Sequence, residues 1–164
     1  MKTKTILRKI ILCLSSLGSA FLFFCFMGKA YGNEAISPSW YDLIFGGREI
    51  SASVSGPIYA PQYYPSEAGI ALFSMTVACG VIGLWLFAST LQKSRSGRAI
   101  GLGLTSIHAL LLLLSLILCS CVLPLFGEEG PLGNGSVSFI VLSSCFLLFD
   151  LLGLAFLLRS KKGE

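Results

Sequence analysis

The chain has 164 residues, of which 54% are hydrophobic and 12% charged, with a formal net charge of +4. So apolar a composition excludes an ordinary soluble domain, whose charged fraction is about 25%. The positive balance does not point to nucleic acid, because the basic residues are placed by four apolar stretches and not gathered into one patch.

Those stretches cover residues 6–27, 68–91, 99–123 and 136–158. Each exceeds the ~20 apolar residues a helix needs to cross ~30 Å of hydrocarbon. The expected fold class is all-α: one membrane domain, residues 1–164, built as a four-helix transmembrane bundle in the lipid bilayer.

Lys2, Lys4, Arg8 and Lys9 lead into the first stretch, and Ala30-Tyr31-Gly32 follows it. A basic start, an apolar run and small residues are also the marks of a leader, whose cleavage would remove residues 1–32. The run 10–27 is 18 residues long, beyond the ~7–15 of a leader core, so retention as a span is the expectation.

The segment 28–67 is the one sizeable loop, and it holds all five tyrosines. Gly46-Gly47 separates two short runs, 40–45 and 48–54, as the turn of a β-hairpin does. Counting outward pairs Phe45 with Arg48, Leu43 with Ile50 and Tyr41 with Ala52. A lone hairpin is marginal in water, so its apolar face is expected to rest on the helix ends, the interface or a partner. Trp40, Tyr41, Phe45, Tyr59, Tyr63 and Tyr64 form the expected partner or interface surface. Anchoring at the boundary between water and hydrocarbon is the plainer use of such rings.

The link 92–98 is short and basic, with Lys93, Arg95 and Arg98. The loop 124–135 reads as a Gly- and Pro-rich turn. Its Asn134-Gly135-Ser136 matches a glycosylation sequon but abuts the fourth stretch, where an enzyme reaches it poorly. Arg159, Lys161 and Lys162 follow that stretch. Ten of the twelve Lys and Arg therefore fall on one side, with only Lys29 and Arg48 on the other. The positive-inside rule then places both termini in the cytoplasm (N-in/C-in), with 28–67 and 124–135 as outer loops.

Besides Arg8 and Lys9 at the entry of the first stretch and the cysteines, two ionisable residues lie inside the stretches, His108 in the third and Asp150 in the fourth. Each sits nine or ten residues from a basic residue at the inner boundary, about 14 Å along a helix. A short loop makes these helices antiparallel neighbours, so the two side chains share one depth. An unpaired carboxylate there costs ~2.5–3.5 kcal/mol on insertion scales, so Asp150 needs a partner, a proton or water. The pair is either a proton- or cation-handling site or a polar contact that fixes packing.

All six cysteines lie within or at the ends of the stretches, which fits small apolar packing and not a disulfide-stapled ectodomain. Four-span membrane thiol oxidoreductases resemble this chain in size and span number. They use Cys-x-x-Cys, whereas this chain has Cys119-Ser-Cys121, so redox catalysis is a remote reading. Ser15, Ser16, Gly18, Ser19 and Ala20, with Ser74, Ala78, Gly80 and Gly83, are small enough to let helices approach closely. No heptad repeat is evident, and no motif calls for an enzyme, a metal or a cofactor.

Four spans, cytoplasmic termini, a long first outer loop and a short second one resemble the claudin-like layout. Claudins carry Gly-Leu-Trp and two cysteines in that loop, whereas this loop has Trp40 alone, so junction formation is not implied. The stretch Tyr-Asp-Leu-Ile-Phe-Gly at 41–46 resembles a segment found in small bacterial membrane proteins, which implies a bacterial cytoplasmic membrane. The expected function is that of a structural or accessory protein contacting a membrane partner or a second copy. The alternative is a small proton-linked or cation transporter using His108 and Asp150.

Overall fold

The computed structural model describes residues 2–30, 32, 39–48, 52–53, 56–57, 62–63, 66–91, 97–121 and 131–159. Its helices are α1 (Lys2–Gly18), continued by a 3₁₀ segment (Ser19–Met27), then α2 (Trp40–Phe45), α3 (Glu67–Leu91), α4 (Gly97–Ser120) and α5 (Asn134–Arg159). Four spans, Ile6–Met27, Glu67–Thr90, Ala99–Ser120 and Asn134–Arg159, are long and apolar enough to cross a membrane. The chain is thus mostly helical, with the build of an integral, multi-pass membrane protein.

Around the bundle each span packs on its neighbours in sequence, and the first also packs on α5, closing a four-membered ring. We call the end carrying residues 28–30 and 39–48 the cap end and the opposite one the termini end.

The buried faces follow seven-residue spacings. On α5 the inward residues are Ser136, Ser143, Asp150 and Leu157, interleaved with Phe139 and Gly153. On α4, His108 and Ser115 form one such row, and Thr105, Leu112 and Cys119 the other. On α3 the inward set is Gly69, Leu72, Thr76, Cys79, Gly83 and Leu86. These are a/d positions of a left-handed bundle, contrary to the expectation of no heptads. The spacing is hidden in the sequence because small and polar residues fill the inward positions while leucines face out.

The first span departs from α geometry halfway. From Ser19 onward it runs as 3₁₀ helix for nine residues, although such runs seldom exceed three or four. A period of three explains what sustains it. Ser19, Leu22 and Cys25 are buried, whereas Phe21, Phe24 and Met27 are exposed. Phe23 and Phe26 turn toward Phe73, with ring centroids 5.9 and 6.0 Å from it.

The core has two apolar parts. Near the termini end Leu12, Leu86, Leu104 and Leu157, one from each span, form a closed layer. At the cap end Phe26, Trp40, Leu43, Ile44, Leu72 and Phe139 belong to a larger cluster.

The expected β-hairpin about Gly46-Gly47 does not form. Residues 40–45 are a short helix, because Ser39 and Asp42 close a capping box before it. The Ser39 hydroxyl accepts the Asp42 N–H at 3.2 Å and the Asp42 carboxylate accepts the Ser39 N–H at 2.8 Å. Two orphan amides are thereby satisfied at the helix start. Gly46, at φ 78°, ends the helix in a conformation that glycine adopts without strain. Among the described residues that follow, β1 (Gly47–Arg48) pairs with β4 (Gln62–Tyr63), and β2 (Ala52–Ser53) with β3 (Gly56–Pro57), both antiparallel and two residues long. Of the predicted cross-strand partners, Ile50 lies outside the described residues.

A clasp joins the cap end to the start of α5. Lys29 N–H donates to Asn134 Oδ1 at 2.7 Å, and Gly133 N–H donates to the Ala30 carbonyl. Gly28 and Gly135 meet backbone to backbone: a Cβ on Gly135 would lie 2.6 Å from the Cys25 oxygen. Both polar side chains of the sequon are taken up by this clasp. Ala30, within the leader-like small residues, is fully buried by it.

Candidate functional site

The polar centre lies one turn inside the leucine layer and draws on all four spans. The seven-residue rows of α5 and α4 turn Asp150 and His108 inward at one level, both with 0% exposure. His108 Nδ1 and Asp150 Oδ2 are 2.7 Å apart. From α1, the Ser15 hydroxyl donates to Asp150 Oδ1 at 2.6 Å and also lies 3.2 Å from the Phe146 carbonyl. Both carboxyl oxygens are thus engaged. The expected shared depth becomes direct contact.

Among the described residues His108 Nε2 has no hydrogen-bond partner. It faces Gly83 of α3, whose absent side chain lets α1 approach. A Cβ on Gly83 would lie 2.7 Å from the Ser16 carbonyl oxygen, 2.7 Å from Ser19 Oγ and 3.4 Å from Nε2. Ser16 and Ser19 sit where α1 becomes 3₁₀, and the Ser19 hydroxyl donates to the Ser16 carbonyl at 2.9 Å.

Two turns toward the cap end, Ser115 of α4 and Ser143 of α5 are buried with unpartnered hydroxyls. The contrast with other hydroxyls is plain. Thr76 and Thr105 donate to the carbonyl four residues back, as hydroxyls in membrane helices ordinarily do.

Chemically, the centre holds one carboxyl and one imidazole, both fully buried, where an unpaired charge is costly and a paired one is tolerated. Among the described residues no three His, Cys, Asp or Glu side chains converge as metal ligands.

The expected aromatic surface divides. Trp40 is buried, with 1% exposure, and its Nε1–H donates to Ser136 Oγ at 2.9 Å. Ser136 in turn donates to the Ala30 carbonyl. Trp40 is therefore a core member of the clasp. Tyr41 and Phe45 stay about half exposed, at 51% and 54%. Their ring centroids are 4.9 Å apart, and Phe45 stands edge-on to Phe73. Tyr59 and Tyr64 lie outside the described residues, and Tyr63 is described in backbone only.

All six cysteines are free. Cys119 is buried, its thiol donating to the Ser136 carbonyl at 3.8 Å, while Cys121 is exposed. A lateral groove of about 420 Å³ opens at the cap end between the 3₁₀ segment and α5, with Phe21 and Phe24 along it. It is separate from the polar centre.

In sequence Ser15 and Gly83 look like the other small packing residues of the spans. Level is the signal for Gly83, which precedes Lys93 by ten residues, close to the nine between Asp150 and Arg159, whereas Ser15 follows Lys9 by only six. Ser136 had been read only as part of a sequon.

No protein-family model, curated protein or solved structure matches the chain.

Proposed function

We propose that this chain is a non-enzymatic structural or accessory membrane protein whose cap presents Tyr41 and Phe45 to a membrane partner, a second copy or the interface. The carrying observation is the division of the cap aromatics. Trp40 is bolted to Ser136 while its immediate neighbours Tyr41 and Phe45 are left outward on a short, capped helix. A rigid base under exposed aromatic rings is what an interaction surface requires, since such rings contribute strongly to binding once desolvated.

In this reading the termini face the cytoplasm of a bacterial cell, as the basic residues at the termini end favour. The first span is retained, since α1 supplies Ser15 to Asp150 and Ala30 belongs to the clasp. The test is co-purification from native membranes with wild type and with Tyr41→Ala/Phe45→Ala. Loss of the same specific partner or self-association in the double variant, with unchanged thermal stability, supports the reading. An identical set of co-purifying proteins from both would overturn it.

A second reading, proton-linked or cation transport through His108 and Asp150, is favoured by the unpartnered Nε2. Flux in liposomes that is lost in Asp150→Asn supports it, and absence of flux from correctly folded wild type removes it. Thiol redox chemistry gains no support from cysteines as unlike in exposure as Cys119 and Cys121.

A further inference from the structure

We propose that the His108–Asp150 pair is a proton-binding site whose occupancy is read by the first span, through Nε2 acting on the junction between α1 and its 3₁₀ segment. With one proton on the pair beyond the imidazole–carboxylate state, two forms exist: imidazolium beside carboxylate, or neutral imidazole beside carboxylic acid. In the first, both ring nitrogens carry hydrogen. In the second, the acid donates to Nδ1, and the hydrogen resides on Nε2. Either way Nε2 becomes a donor. Without that proton, Nδ1–H donates to Asp150 and Nε2 is a bare acceptor.

Nε2 is thus the atom at which the charge of the pair is expressed. A protonated Nε2 buried in the bundle needs an acceptor. Across Gly83 stand two, the Ser16 carbonyl and Ser19 Oγ, both close to the point where a glycine Cβ would be. The Ser16 carbonyl already accepts from Ser19, and a carbonyl has room for a second donor. Other charged groups do not compete. Among the described residues Asp150 is the one carboxylate buried with His108. The first span offers hydroxyls and a carbonyl, α3 offers Gly83 and Cys79, and α4 adds Thr105 and Ser115.

The element that receives the signal has a second conformation within reach. A nine-residue 3₁₀ run is long for its kind. Rewinding it as α-helix would shorten it by about 4–5 Å, from the two rises of ~2.0 and ~1.5 Å per residue. Its far end is the Gly28–Ala30 clasp beneath Trp40. Drawing Ser16 and Ser19 toward Nε2 therefore acts on the segment that carries the cap. The inference depends on neither partner capture nor transport.

His108 is the single histidine of the chain, so ¹⁵N-histidine labelling reports it without overlap. Full-length protein, labelled additionally with ¹³C-carbonyl phenylalanine, is titrated in lipid bilayers through and beyond the interval of about pH 5–8 where imidazole ordinarily changes charge. The expected result is that the Nε2 signal converts between bare and protonated forms and that Phe21, Phe23, Phe24 and Phe26 move with the same midpoint. In His108→Gln the phenylalanine movement is lost. Three outcomes overturn the inference: no titration of the ring, titration with stationary 3₁₀ signals, or movement that survives His108→Gln. The first two are decided on wild type, so a misfolded variant leaves the test intact. Ser19→Ala supplies a milder check, reducing the movement while the ring still titrates.

Discussion

Two buried polar joints hold this bundle, and they are built on opposite principles. The cap joint is neutral, and its buried hydroxyl is used twice: Ser136 both accepts from Trp40 and donates to Ala30, while at its rim Asn134 accepts from Lys29. The inner joint is ionisable and unsaturated: Asp150 is engaged at both oxygens, yet His108 keeps a free ring nitrogen. A neutral joint with every atom paired has one stable arrangement, so it suits a fixed cap. An ionisable joint with an atom to spare leaves one donor or acceptor unused. The same apolar bundle thus carries a paired clamp at one end and, in its middle, a pair with one ring nitrogen left over.

Breaking the cap joint gives the largest effect. Trp40→Ala should cost about 3–5 kcal/mol, the range for deleting a buried aromatic, with the loss concentrated at residues 28–48. Hydrogen exchange in bicelles checks it: amides near the clasp should lose protection while those around Asp150 keep theirs. Next comes Gly135→Ala, whose methyl would collide with backbone atoms of Cys25 and Gly28. Overpacking of that kind costs about 1–3 kcal/mol, read as a lower thermal midpoint.

Asp150→Asn follows. It keeps shape and the contact with Ser15 but replaces the carboxyl oxygen that faces His108 by an amide, so about 0.6–2 kcal/mol is expected, as for polar contacts between membrane helices. Here the pattern should invert, with protection lost around Ser15 and His108 and retained at the clasp. Gly103→Ala serves as the control. A Cβ there meets nothing within 4 Å, so stability should shift by less than about 0.5 kcal/mol. A large loss would mean that this face is occupied.

The span lengths were legible because hydrocarbon thickness imposes them, and the depth of His108 and Asp150 followed from counting inward from Arg98 and Arg159. Which way the helices turn was not legible. In lipid the outward face is as apolar as the core, so Leu110, Leu113 and Leu114 face out while Ser115 and His108 face in, and hydropathy alone cannot rank them.

The cap failed for a different reason. Residues 40–45 alternate well enough for a strand, but Ser39 with Asp42 three places on is a helix-start signal that outweighs alternation over so short a run. The 3₁₀ segment left a readable trace, the three-residue recurrence of Phe21, Phe24 and Met27. It is invisible when only periods of 2 and 3.6 are sought.

The contact on which the inner joint depends can be observed directly in the ¹⁵N spectrum of the one histidine, in bilayers, with and without Asp150→Asn. Strongly inequivalent ring nitrogens are expected, with Nδ1 the one displaced by the substitution. A ring that resembles free histidine in solution and ignores the change at Asp150 would contradict the contact, and with it the distinction between the two joints.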